Sequence, residues 1–226
     1  MIINDMAKLE SPFVRKEIDG VYVVTPEIAE GYEWVFNDPQ VQAIEKLDGT
    51  NVSIIVEHGK ITRIFNRTTE IDFWSGSPII QCLLNSSERK WLHFTDGQYF
   101  GEAIGEKIQG NPLKVPRIWM PFSLAYTKLA YHSWHKYPKT FEGISFWFKE
   151  YLFSLMAQKY GVSELKVGRD KNDMIPIEFK PFAEGVVFTH PDGRMAKLRR
   201  DMFSWYYELY PNAKQHQNRK KNEQEN

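Results

Sequence analysis

Cysteine is nearly missing from this chain. Cys82 is the only one in 226 residues, which excludes an internal disulfide and any zinc site built from clustered cysteines. Net charge is missing too: 29 basic and 29 acidic residues cancel to zero. That balance argues against a surface that coats polyanions wholesale, while leaving room for a local basic groove. No apolar run approaches the roughly 18 residues of a membrane span. Residues 1–10 lack the basic-then-apolar order of a secretory leader. A Walker-type phosphate loop is absent, so phosphate binding would have to rest on individual cations. There is no internal repeat. These absences predict a soluble protein of a reducing cytosol, with no membrane attachment and no obligate protein partner.

What is present reads as a globular domain. Hydrophobic residues make up 42% and aromatics 15% of the chain, enough to bury a core. The expected organisation is one domain over 1–210 and a polar, disordered tail over 211–226 with Lys214, Arg219, Lys220 and Lys221. Short β runs occupy the first 40 residues, with Gly20 to Thr25 the clearest. Val52 to Glu57 and Ile61 to Phe65, split by His58-Gly59-Lys60, predict a hairpin with Asn66-Arg67-Thr68 at its far end. A mixed helical stretch over 77–93 precedes a strand, Tyr99 to Glu102, after the Asp96-Gly97 turn. Gly105 to Pro112 reads as a Gly-rich loop or short helix, and Arg117 to Phe122 as another strand. Apolar residues at spacings of three and four predict helices over 123–136 and 141–160, the second stopped by Gly161. Pro191-Asp192-Gly193 then joins two β runs into a second hairpin.

The chemistry gathers around Glu45-Lys46-Leu47-Asp48-Gly49-Thr50-Asn51. A free lysine, with a pKa near 10.4, keeps its proton at neutral pH and is no nucleophile. Nearby cations, a metal or desolvation would expose its lone pair. Lys197 and Arg199, two apart on a strand, share a face and could serve as those cations. Glu102 and Glu184, at strand ends, are isolated carboxylates of the kind a divalent metal uses. A reactive lysine, two cations and such acids make a phosphoryl-transfer set.

In order along the chain, Lys46-Leu47-Asp48-Gly49-Thr50-Asn51, Phe100-Gly101-Glu102, Glu184-Gly185-Val186-Val187 and Ala196-Lys197-Leu198-Arg199 resemble the motifs of the covalent nucleotidyltransferases. That superfamily comprises ATP-dependent DNA ligases, RNA ligases and mRNA capping enzymes. Asn51, Asn66-Arg67-Thr68 and the run Gly101 to Pro112 look like the RNA ligases in particular, of a minimal, phage-type form. The resemblance spans about residues 41 to 203.

It implies an α+β nucleotidyltransferase fold (ATP-grasp-like), with antiparallel sheets flanking an ATP cleft and a helical insertion at about 123–160. It also implies a reaction in which Lys46 takes AMP from ATP, passes it to a 5′-phosphate, and a 3′-OH then seals the strand. By motif, Lys46 would be the nucleophile and Glu184 the ligand of a Mg2+ or Mn2+ ion, with Asp48 ordering the metal's water. Glu102 would contact the ribose, Arg67 the ribose or phosphates, and Lys197 the α-phosphate. Glu45, Asn51 and Arg199 would complete the nucleotide contacts, and Trp119 would stack on the adenine. RNA or nicked nucleic acid is the implied substrate, in the cytoplasm.

Departures from the pattern matter. Arg199 stands where the family commonly has Lys, and the strand around Trp119 lacks the family's Phe-Asp pair. The short stretch after Phe203 predicts a stand-alone adenylyltransferase domain. A minimal DNA or mixed RNA–DNA nick ligase, and a non-catalytic nucleotide or nucleic-acid binding module, are the alternatives. A second Glu-Gly pair, Glu142-Gly143, opens a helical pattern without a following basic hairpin and is read as a decoy. Tyr131, Trp134, Phe146, Trp147, Phe148 and Tyr151 are read mostly as packing residues.

Overall fold

The computed structural model describes residues 3–87, 93–162, 164–169, 174–179 and 181–213. In chain order its elements are β1 (Phe13–Ile18), β2 (Val21–Ile28), α1 (Trp34–Asn37), β3 (Gln42–Lys46), β4 (Thr50–Glu57), β5 (Lys60–Asn66), β6 (Thr69–Glu70) and α2 (Pro78–Ser87). They continue with β7 (Gly97–Ile104), β8 (Ile118–Pro121), α3 (Phe122–Lys128), α4 (Phe141–Glu150), α5 (Leu155–Lys159), β9 (Glu164–Arg169) and β10 (Met174–Phe179). β11 (Gly185–Thr189), β12 (Met195–Arg199) and α6 (Ser204–Leu209) close the series, and 3-10 turns lie at His132–Lys136 and Arg200–Met202. All described strand pairs are antiparallel. The α+β class expected from the sequence is the class observed.

Two compact units make up the chain. One comprises the described parts of 1–8, 47–130 and 153–183, the other those of 9–46, 131–152 and 184–226. The chain leaves the second unit at Lys46 and re-enters it for the last time at Glu184, so both of these residues stand at crossing points.

The first unit is built on a five-stranded sheet of order β6-β5-β4-β7-β8. The expected hairpin is there: His58 and Gly59 both adopt positive φ, 53° and 70°, the mirror-image turn that matches strand twist. One sheet face carries Val52, Ile54, Ile64, Ala103 and Trp119, packed on Ile79, Cys82 and Leu83 of α2. The helix is pinned by Ser86, fully buried, whose Oγ accepts from the Trp119 backbone N–H at 2.8 Å. The Gly105 to Pro112 segment is a loop, with Lys107, Gln109 and Asn111 at positive φ.

In the second unit a three-stranded sheet, order β12-β11-β3, backs onto an aromatic core. Trp134 packs on Phe188 and Trp147, and Phe148 on Phe203, all fully enclosed. α4 begins at Thr140, whose hydroxyl accepts the Gly143 N–H at 3.1 Å. Its last turn ends on buried Arg200, which donates Nε to Phe148 O at 3.0 Å. A side chain at Gly143 would strike Pro138 O, 2.7 Å from its Cβ position. Close packing, not chemistry, therefore explains the second Glu-Gly pair.

The stretch 123–160 is helical as expected, and the bounds of its two expected helices, 123–136 and 141–160, are corrected. α3 ends at Lys128, a 3-10 turn follows, and the second stretch is two helices, α4 and α5. Both interruptions fall where the chain changes units, at 130–131 and 152–153. Phe153 there forms an isolated antiparallel bridge to Phe182, and Ser154 starts α5 afresh by accepting the Ala157 N–H at 3.0 Å. The Gly161 stop holds, at φ +65°. The expected helix over 77–93 is observed to Ser87, and residues 88–92 lie outside the described part. So does the tail from 214.

Candidate active site

The second unit brings Lys46, Glu184, Lys197 and Arg199 onto one small sheet. Cross-strand register aligns Arg199, Gly185 and Lys46 in a single row, and Lys197, Val187 and Ile44 in the row two residues on. Alternation puts both rows on the same face. Gly185, lacking a side chain, stands in the first row between the two cations. A Cβ there would lie 2.7 Å from Arg199 Cα and would also overlap Leu198 O. The glycine of the Glu-Gly-Val-Val motif is thus set by strand-to-strand approach.

Lys46 Nζ donates to Glu184 Oε2 at 2.5 Å. Arg199 approaches the same carboxylate from the other side, NH1 to Oε1 at 3.7 Å, and its Nε lies 3.0 Å from Asp201 Oδ1. The result is an alternating series of charges, Lys46–Glu184–Arg199–Asp201. Lys46 and Glu184 keep 24% and 20% of their side-chain surface exposed, so solvent and solutes can reach the pair. Lys197 is half-buried on the same face, and its backbone N–H donates to Glu10 O at 2.9 Å.

Glu45 does not join them. As Lys46's neighbour on β3 it takes the opposite face, where it is only 3% exposed. There its charge, after burial itself, helps push the Tyr131 hydroxyl well above the ordinary tyrosine pKa. The expectation of a nucleotide contact from the Glu45 side chain is corrected by strand parity.

In the first unit Asp48 and Gly49 lead into β4. Gly49 has no positive φ. It is needed for proximity instead, since a Cβ would meet Ala103 O, Ile104 Cγ2 at 2.6 Å and Glu102 Cγ at 2.8 Å. Asn51 stands directly opposite Glu102 across β4 and β7. Arg67, left-handed at φ +55°, donates its N–H to Asn51 O at 3.3 Å. Three expected nucleotide contacts, Asn51, Arg67 and Glu102, are therefore neighbours. The segment 4–6 runs beside them: Asn4 exchanges two hydrogen bonds with the Gln98 amide, Asp5 Oδ2 lies 3.5 Å from Arg67, and Met6 Sδ accepts from Asn51 at 3.5 Å.

Trp119 is a correction as well. It is fully buried, donates Nε1–H to Val52 O at 3.1 Å, and fills the space left by Gly101, whose Cβ would come within 2.7 Å of the indole. It pairs with Ala103, one residue off Glu102, and so occupies the opposite sheet face. No adenine can stack on it there. Phe100, half-buried and two residues from Glu102, lies on the Glu102 face, as does the buried Phe65 across β4. The i, i+2 spacing in Phe-Gly-Glu was the available signal for Phe100.

Among the described residues no group of three or more His, Cys, Asp or Glu could hold a metal ion. Glu184 alone, a hard oxygen donor beside two cations, suits the mode in which magnesium keeps most of its waters and is held by one or two carboxylates plus substrate phosphates. A dedicated all-protein cage would not fit the described donors. No described helix is long and apolar enough to cross a membrane.

Several solved structures are similar at low identity. A mutant of the Naegleria gruberi RNA ligase with ATP and Mn shares 17% identity, over 92% of this chain and 63% of that one, with a TM-score of 0.44. Another mutant with AMP and Mn shares 15% over 92% and 63%, TM-score 0.43. The same ligase with PPi shares 15% over 90% and 62%, TM-score 0.43. The present chain thus spans less than two thirds of those ligases' length. No curated protein matches. The family model described as RNA ligase matches residues 39–204, which contain every motif that converges on Lys46 and Glu184, and the chain belongs to the RNA ligase family.

Proposed function

We propose that the chain is an ATP-dependent RNA ligase that joins 3′-OH and 5′-phosphate ends through a lysyl-AMP intermediate. One observation carries this reading: Lys46 Nζ is held 2.5 Å from Glu184 Oε2, with Arg199 on the other side of the same carboxylate. In the first step the Nζ lone pair forms a bond to the α-phosphorus of ATP. The bond from that phosphorus to the pyrophosphate oxygen breaks, and the proton lost from Nζ goes to solvent. Lys197 and Arg199 bind phosphate oxygens. A divalent metal held by Glu184 would supply further charge for the phosphates, with Asp48 orienting its water. Glu102, Asn51 and Arg67 serve the ribose and phosphates. AMP then passes to the 5′-phosphate of the nucleic acid, and attack by the 3′-OH expels it. The reading places the activity in a cytoplasm, on RNA or nicked nucleic acid.

Incubation with ATP and magnesium should add the mass of AMP to the intact protein. Lys46→Ala, Glu184→Ala and Lys197→Ala should each lose the adduct while remaining folded. An adduct that persists in Lys46→Ala would overturn the mechanism. Comparison of matched RNA and DNA 3′-OH ends tests the substrate, with equal sealing of DNA pointing to a nick ligase of broader use.

A further inference from the structure

Asp201 lies two residues beyond Arg199, in the 3-10 turn Arg200–Met202. Its Oδ1 and Arg199 Nε face each other at 3.0 Å. Both atoms are sealed from water, and neither makes a hydrogen bond among the described residues, so their contact is an ion pair held by charge and not by an aligned hydrogen bond. Two oppositely charged groups deprived of hydration in this way have their mutual attraction as compensation. The turn itself is fixed without the carboxylate. Arg200 N donates to Glu184 O at 2.9 Å, Arg200 Nε to Phe148 O at 3.0 Å, and the Tyr207 hydroxyl to the Asp201 backbone carbonyl at 2.8 Å. The Asp201 carboxylate is therefore presented from a rigid support and does no visible work in holding that support.

A guanidinium is a planar fork of five donors. When its Nε edge is held, the terminal nitrogens are confined to one side. Here that side is the row of Gly185 and Lys46, with NH1 3.7 Å from Glu184 Oε1, too long for a hydrogen bond. Arg199 is thus oriented without being saturated.

We propose that Asp201 is a positioning residue: its carboxylate pairs by charge with the Nε side of Arg199, so that the terminal nitrogens stand ready, beside Lys46, for the polyphosphate of a nucleoside triphosphate. The identity of that ligand rests on the ligase reading above. The arrangement also accounts for Arg in place of Lys here, because a lysine ammonium has no second edge to be held by.

The test is a double-mutant cycle on the full chain, with inorganic pyrophosphate and magnesium as the titrated probe. Wild type, Asp201→Ala, Arg199→Ala and the double variant are compared by calorimetry, with melting temperatures measured alongside. Asp201→Ala is expected to weaken pyrophosphate binding about tenfold. In the Arg199→Ala background the same change should cost less than about twofold, because the effect passes through Arg199. In lysyl-AMP formation, KM for ATP should rise by the same factor while the rate at saturating ATP stays within about threefold. Asp201→Asn, which keeps the shape and one oxygen, is the second variant should the alanine protein melt early. It should show the same dependence on Arg199. Wild-type affinity in both Asp201 variants would overturn the proposal, as would a loss undiminished in the Arg199→Ala background or a wild-type chain that binds no pyrophosphate. A wild-type chain that binds pyrophosphate but forms no lysyl-AMP would remove the ligase reading instead, and the cycle would still decide the role of Asp201.

Discussion

Gly185→Ala isolates the geometry on which the lysine site depends. The added methyl would sit 2.7 Å from Arg199 Cα and closer still to Leu198 O, both on the adjoining strand. Carbon atoms in good contact stand about 3.5–4.0 Å apart, so β12 would have to retreat by roughly 0.8 Å or more. Neither obstacle is the end of a flexible side chain, and the other face of the sheet offers no slack: Val186, Phe188, Ala196 and Leu198 are completely buried. Overpacking of this kind costs about 1–3 kcal/mol. For a chain of this size, about 2 kcal/mol lowers Tm by roughly 4–8 °C. The damage should be local as well as global, since the displaced strand carries Lys197 and Arg199. Thermal melts should show the drop, and hydrogen exchange should speed up at residues 195–199 more than in β4 or β7. A variant with unchanged Tm and unchanged exchange in β12 would refute the account of why glycine follows Glu184.

Trp119→Phe should cost about 1–3 kcal/mol, from lost volume and from the lost bond to Val52 O, yet leave KM for ATP within about twofold; a large KM effect in a folded protein would restore the stacking role. Cys82, buried and with its thiol pushed up to about 11 by desolvation, should resist iodoacetamide at pH 8 until the protein is denatured. Asp192 accepts from Arg194 N at 3.0 Å and Arg194 Nε at 2.7 Å, and its carboxyl is lowered to about 2, first by the backbone bond. A depressed acid stabilises the folded state above its ordinary pKa near 3.9 and loses that effect as pH falls. The β11–β12 hairpin should therefore loosen between about pH 4 and pH 2, and Asp192→Asn should remove that dependence, as followed by NMR.

Much of the site was legible because motif residues mark strand ends and turns, which local chemistry fixes. The two hairpins, the strand closing on Glu102 and the shared face of Lys197 and Arg199 all follow from alternation and turn residues. Glu45 was legible by the same rule, since neighbours on a strand cannot share a face, and its assignment as a nucleotide contact ignored that parity. Trp119 is different. Its face depends on the register between β7 and β8, where Ala103 meets Trp119 and Glu102 meets Met120, and no local pattern reveals a register between strands joined by a long loop. The broken helices have a similar cause: apolar spacing of three and four continued across 129–131 and 151–154, while the chain was changing units. Ser154, a good N-cap before Leu155, was the one local sign of the second break. Likewise Gly49 read as turn glycine but proves to serve close approach to β7, a demand that only the folded neighbour imposes.

The central claim concerns one nitrogen atom. Purified protein incubated with ATP and magnesium, digested, and sequenced by mass spectrometry should carry AMP on the peptide containing Lys46, and pyrophosphate should remove it. AMP on any other residue, or none on wild-type protein that binds ATP, would contradict the account.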